Sequence, residues 1–193
     1  MKLVIMTQPS FFVEEDKILS TLFDEGMTDL HLRKPGAPPM LAERLLSLLP
    51  EAVYGKITVH DHYYLKNEYR LAGIHIDGAE SAPTGYKGKV GVTCTTADEL
   101  AAARKKADYA FMEADFAADA LPAEVEAALR RGLIDRHVYA IGGISLDNIR
   151  TAKEAGFGGA VVCEDLWNKF DIHNETDYKD LISHFDKLRK AAS

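Results

Sequence analysis

The chain has 193 residues, 47% hydrophobic and 27% charged, a size and balance that suit one globular domain rather than two half-size ones. Lys and Arg number 23 against 30 Asp and Glu, a formal charge of −7 with no basic run, which argues against nucleic-acid or membrane-surface partners. No apolar stretch approaches the roughly 20 residues of a membrane helix, and MKLVIMTQP turns polar too early for a signal-peptide core, so a cytoplasmic protein is expected.

Short apolar runs alternate with amphipathic stretches from end to end. Strands are expected at Lys2–Met6, Asp29–Leu32, Lys56–Val59, Gly73–Ile76, Lys89–Thr93, Tyr109–Met112, Val138–Ile141 and Gly159–Val162. Several are Val/Ile/Leu-rich throughout, as strands covered on both faces are. Between them, a helix over Glu14–Glu25 ends at Gly26, and one over Met40–Leu49 follows Pro38-Pro39 and stops before Pro50. Thr96 with Asp98 and Glu99 opens an Ala-rich helix, and Ser145 with Asn148 caps another. Cys94 and Cys163 fit no metal-ligand spacing and read as two free thiols of a reducing compartment.

Such alternation closes into a barrel or opens into a doubly wound sheet. Thr7-Gln8-Pro9-Ser10 follows the first strand, where a dinucleotide-binding sheet carries Gly-x-Gly-x-x-Gly. The eight strands therefore read as one compact α/β domain over residues 1–193, a (β/α)8 TIM barrel shorter than the typical ~250 residues.

In a barrel, ligands bind where the strands end. Gly142-Gly143-Ile144-Ser145 turns a strand directly into a capped helix, so its N–H groups suit a phosphate, and Gly158-Gly159 lets a second backbone come close. Arg33 can grip phosphate in a bidentate fork, with Lys34 adding a point charge. Asp61 and Glu80 offer hard oxygens for Mg2+ completed by water and substrate phosphate. His60-Asp61-His62 makes a weak zinc set, because alternation puts His60 and His62 on one face and Asp61 on the other. His75 reads as a hydrogen-bonded structural histidine.

These segments, in this order from residue 2 to 168, resemble the thiamine phosphate synthase family, whose relatives include thiazole tautomerases. Leu30-His31-Leu32-Arg33-Lys34 is similar to its Gln-Leu-Arg-x-Lys, with His31 in place of Gln. Val59-His60-Asp61 resembles its Asn-Asp, and Gly73-Ile74-His75-Ile76-Asp77-Gly78-Ala79-Glu80 its Gly-Val-His-Leu-Gly-Gln-x-Asp, with Glu80 at the second metal-binding aspartate. Gly91-Val92-Thr93 is similar to the Gly-Val-Ser that touches pyrimidine and pyrophosphate. Ala140-Ile141-Gly142-Gly143-Ile144 with Asn148 resembles the phosphate signature of strand seven, and Gly158 to Cys163 the strand-eight segment, with Cys163 in place of serine.

The resemblance implies an Mg2+-dependent transferase of thiamine biosynthesis that joins an aminopyrimidine pyrophosphate to a thiazole phosphate and releases pyrophosphate. Its implied site comprises Arg33 and His31 as catalytic groups, Lys34, His60, Thr93, Gly143, Gly159 and Cys163 at the substrates, and Asp61 and Glu80 at the metal. Phe111-Met112-Glu113-Ala114-Asp115-Phe116-Ala117 departs from the family's Gly-Pro-x-Phe-x-Thr-x-Thr-Lys, putting carboxylates where hydroxyls and an ammonium hold ligand. Two alternatives follow: a tautomerase-like isomerase with His31 or His60 as proton carrier, or a phosphate-binding barrel with impaired catalysis. The partners expected are small phosphate and pyrophosphate substrates, and a homodimer is compatible with the sequence.

Overall fold

A computed structural model of the chain describes residues 1–77, 81–117, 120–171 and 178–193. Eight parallel strands close into a barrel in sequence order: β1 (Lys2–Met6), β2 (Leu30–Leu32), β3 (Ile57–Val59), β4 (Gly73–Ile76), β5 (Lys89–Cys94), β6 (Tyr109–Glu113), β7 (Val138–Ile141) and β8 (Gly159–Val162). β8 pairs back onto β1, which completes the (β/α)8 barrel. Asp29 and Lys56 fall just outside β2 and β3, because Asp29 pairs with the Lys2 ammonium and Lys56 closes a 3-10 turn over Glu51–Lys56.

The helices are α1 (Glu15–Asp24), α2 (Pro39–Leu48), α3 (Leu65–Glu68), α4 (Ala97–Ala103), α5 (Ala123–Arg130), α6 (Ile149–Glu154), α7 (Glu164–Trp167) and α8 (Lys179–Ala192). Thr96 caps α4 as expected: its hydroxyl accepts from Glu99 N–H while the Glu99 carboxylate returns to the Thr96 backbone. Ser145 does not cap α6 directly, since that helix opens at Ile149 after a turn that Asn148 holds together. None of the described helices is long and apolar enough to cross a membrane.

Two-residue alternation sorts the strands into layers. Ile5, Leu30, Leu32, Ile57, Val59, Ile74 and Ile76 face outward and pack with α1, α2 and α8 side chains such as Ile18, Leu22, Leu46 and Leu188. Val4, Met6, Tyr109, Phe111, Tyr139 and Val161 fill the barrel. The intervening inward positions on β2 to β4 are His31, Thr58 and His75, all buried. Small residues make room for the tyrosines: a Cβ built on Gly91 would lie 2.2 Å from the Tyr109 ring, and one on Gly159 would lie 2.7 Å from the Tyr139 ring. Both glycines sit beside those tyrosines in the strand register.

Candidate functional site

A cavity of about 630 Å³ opens at the C-terminal ends of the strands, lined by Arg33, His60, Asp77, Thr93 and Glu113 among others. Arg33 follows β2, and its backbone is tied to Thr7 at the end of β1, whose hydroxyl meets both Arg33 N and Arg33 O at 3.1 Å. Arg33 Nε donates to Asp77 Oδ2 at 3.2 Å, and the Thr93 hydroxyl donates to Asp77 Oδ1 at 3.0 Å.

Because Thr93 gives its proton to an acceptor-only carboxylate, it must accept from His75 Nε2, 2.9 Å away. The proton therefore sits on Nε2 of His75 and leaves Nδ1 to face the Tyr109 hydroxyl at 3.3 Å. One hydrogen-bonded chain thus runs from Tyr109 inside the barrel to Asp77 at its mouth. Burial pushes the Asp77 carboxyl up, but adjacent His60, Arg33 and Thr93 outweigh it and hold Asp77 well below the usual carboxylate range.

His31 Nδ1 and His60 Nε2 share a hydrogen bond of 2.8 Å. Burial, reinforced by the neighbouring His60, drives His31 and His75 well below the ordinary histidine value. His60 is lowered by burial too, against the opposing pull of Asp77. One nitrogen from each of the three rings lies within 4.8 Å of the others. Yet His60 and His75 stack at 4.4 Å with planes 16° apart, so their in-plane lone pairs run side by side instead of converging as a tetrahedral metal needs. The trio is a hydrogen-bonded polar core.

The remaining expected residues scatter. Lys34 turns away from the mouth and is buried, its ammonium bonded to Glu15 and, at 2.9 Å, to Ser10 O, over the Phe11 ring. The expectation that Lys34 adds a point charge at the substrates is thereby corrected: Arg33 reaches the cavity, whereas Lys34 is held by Glu15 and braces α1. Asp61 faces outward, accepting from Lys34 N at 3.0 Å beside a recess that also holds His62 and Leu65. His62 does not share a face with His60, because its backbone bends into the left-handed region at φ 52° and its ring meets Ala37 O. Glu80 lies outside the described residues.

Gly143 stands beyond β7 with φ 65°, in a loop that Asn148 clamps by donating to Phe116 O and Gly143 O and accepting from Ser145 N. Gly159 is not brought to it: it opens β8 at the far, N-terminal end of the barrel, and the close approach it permits is to the Tyr139 ring. Cys163, just past β8, is half-buried with its thiol toward Thr7 O, and burial pushes that thiol up to about 11. Glu113 projects into the cavity, whereas Asp115 caps Ala117 N. Asp77, at the end of strand four, received no role from the sequence, although it continues the inward alternation of His75 by two.

No protein-family model matches the sequence, and none of the curated proteins does. Among solved structures, the chain is 46% identical to a thiamine phosphate pyrophosphorylase from Bacteroides thetaiotaomicron, with a TM-score of 0.92, covering 100% of this chain and 98% of that one. A thiamine phosphate pyrophosphorylase from Pyrococcus furiosus is 21% identical with a TM-score of 0.77, covering 99% and 95%. A 3-hexulose-6-phosphate synthase from Salmonella typhimurium shares the fold, at 11% identity and a TM-score of 0.66 over 100% and 98%. With the first match running nearly end to end in both sequences, the chain belongs to the thiamine phosphate pyrophosphorylase family.

Proposed function

We propose that this barrel is a thiamine-phosphate synthase-type transferase, joining an aminopyrimidine pyrophosphate to a thiazole phosphate with loss of pyrophosphate. The observation that carries the reading is the 46% identity over essentially the whole length to a structure named for that activity. The mouth cavity, with Arg33 beside Thr93, supports it.

Arg33, fixed by Thr7, would bind the pyrophosphate, and as that group departs its guanidinium would neutralise developing charge. Thr93 would position the pyrimidine end, and His60, neutral and hydrogen-bonded to His31, would line the wall without adding charge. The Gly143 loop and the turn at Cys163, which cap β7 and β8, would hold the thiazole phosphate, with Gly159 contributing only through packing. Asp61 has a hard carboxylate oxygen of the kind Mg2+ takes and, released from Lys34 N and turned toward the mouth, would hold the ion with Glu80. When bound, the ion adds positive charge against the leaving pyrophosphate.

A second reading, a phosphate-binding barrel with weakened catalysis, is favoured by one observation: the Glu113 carboxylate lines the same cavity as Arg33. Titration of the aminopyrimidine pyrophosphate with and without Mg2+ tests the first reading. Asp61→Ala is expected to weaken binding about tenfold, on the order of 1.4 kcal/mol, and Arg33→Ala at least as much. Curves unchanged by chelator and by both substitutions would refute it.

A further inference from the structure

Asp77 stands where the resembled motif has glycine, and the transferase reading gives it no task. Its contact with Arg33 engages a single guanidinium donor at 3.2 Å, and the two side chains are 41% and 44% exposed, so an incoming anion can compete for the guanidinium. His60 Nδ1 lies 3.6 Å from the same carboxylate oxygen. That ring nitrogen is buried and has no hydrogen-bond partner. A buried polar nitrogen without a partner is unfavourable, and as an N–H it would be satisfied by a small shift of Asp77. Asp77 Oδ2 therefore has two donors in reach and is bonded to one. With the proton on Nδ1, His60 Nε2 accepts from His31 Nδ1, as their 2.8 Å contact allows.

We infer that Asp77 is an exchangeable clasp on Arg33 that sets ligand specificity. Without ligand it occupies and neutralises the guanidinium. When a phosphate-bearing ligand takes Arg33, Asp77 Oδ2 passes to His60 Nδ1. An anion must displace a carboxylate to bind, so bare inorganic phosphate or pyrophosphate binds poorly. A ligand whose organic body also fills the cavity gains enough from burial to open the clasp. The site thereby selects organic phosphate esters over free inorganic anions. This inference rests on the reading that Arg33 meets the phosphate.

The test is calorimetric titration with inorganic pyrophosphate, in the absence of divalent metal, on the wild type, Asp77→Asn, Asp77→Gly and Arg33→Ala. Both Asp77 variants are expected to bind pyrophosphate about tenfold more tightly than wild type. A gain in affinity cannot come from a damaged fold. In long-range proton–nitrogen NMR, saturating pyrophosphate should also shift the His60 Nδ1 resonance of the wild type. Equal or weaker binding in both Asp77 variants, with Arg33→Ala weakened, would overturn the clasp while leaving the transferase reading intact. Pyrophosphate binding that Arg33→Ala does not change would instead remove the premise, and the clasp with it.

Discussion

Replacing Lys34 by Met should destabilise the protein in a strongly pH-dependent way. Lys34 and Glu15 form a buried pair with side chains 3% and 1% exposed, and Glu15 Oε2 has no hydrogen-bond partner. Burial raises the Glu15 carboxyl to about 6, with Lys34 pulling the other way. Without Lys34 that pull is lost, and the folded-state value climbs further. Below pH 6 Glu15 is largely protonated in both proteins, so the substitution is nearly neutral there.

Above pH 6 the wild type ionises Glu15, whereas the variant must hold it protonated against solvent. The unfolded chain releases that proton near the ordinary 4.5, so the variant loses about 1.4 kcal/mol per pH unit until it reaches its own folded value. Between pH 6 and 8 the penalty accumulates to about 3 kcal/mol, the scale of breaking a buried pair. Urea unfolding of both proteins at pH 5.5 and pH 8 measures it, and Glu15→Gln in the Lys34→Met background should remove the pH dependence. A penalty equal at both pH values would refute the burial of the pair.

Three further outcomes follow. Gly91→Ala places a Cβ 2.2 Å from the Tyr109 ring and 2.5 Å from His75 Nδ1, and should lower stability by about 1–3 kcal/mol in the same assay. His31 and His75 are held neutral by burial, with folded values well below 6.5, so the stability they confer is intact above pH 6.5 and lost as the pH falls below it. Two such groups give a slope near 3 kcal/mol per pH unit, to which the lowered His60 adds and which Glu15 reduces by about 1.4 between pH 6 and 4.5; a flat profile would contradict their burial. Asn148→Ala breaks the clamp between Phe116 O, Gly143 O and Ser145 N, and should weaken thiazole phosphate binding more than it weakens pyrophosphate binding.

The strands were legible because each is a short apolar run closed by turn residues, and Gly73–Ile76, Val138–Ile141 and Gly159–Val162 end where the pattern ends. Arg33 was legible for the same reason, since a residue just past a barrel strand reaches the mouth. Side-chain direction was not. Lys34 is drawn inward by Glu15, 19 positions away, and no local pattern records such a partner. His62 leaves the alternation because its backbone turns left-handed, a conformation uncommon for non-glycine residues and one that strand periodicity does not anticipate. The glycine at 159 did signal close approach, but its place at the start of β8 assigns that approach to the barrel floor.

A coupled pyrophosphate-release assay with both proposed substrates and Mg2+ decides whether the barrel is a transferase. Release is expected to need both substrates and to be abolished by Arg33→Ala. Release should also rise when Glu113, which projects into the cavity, and Asp115 are replaced together by Thr. Folded wild-type protein that binds thiazole phosphate yet releases no pyrophosphate, with or without the double substitution, would contradict it.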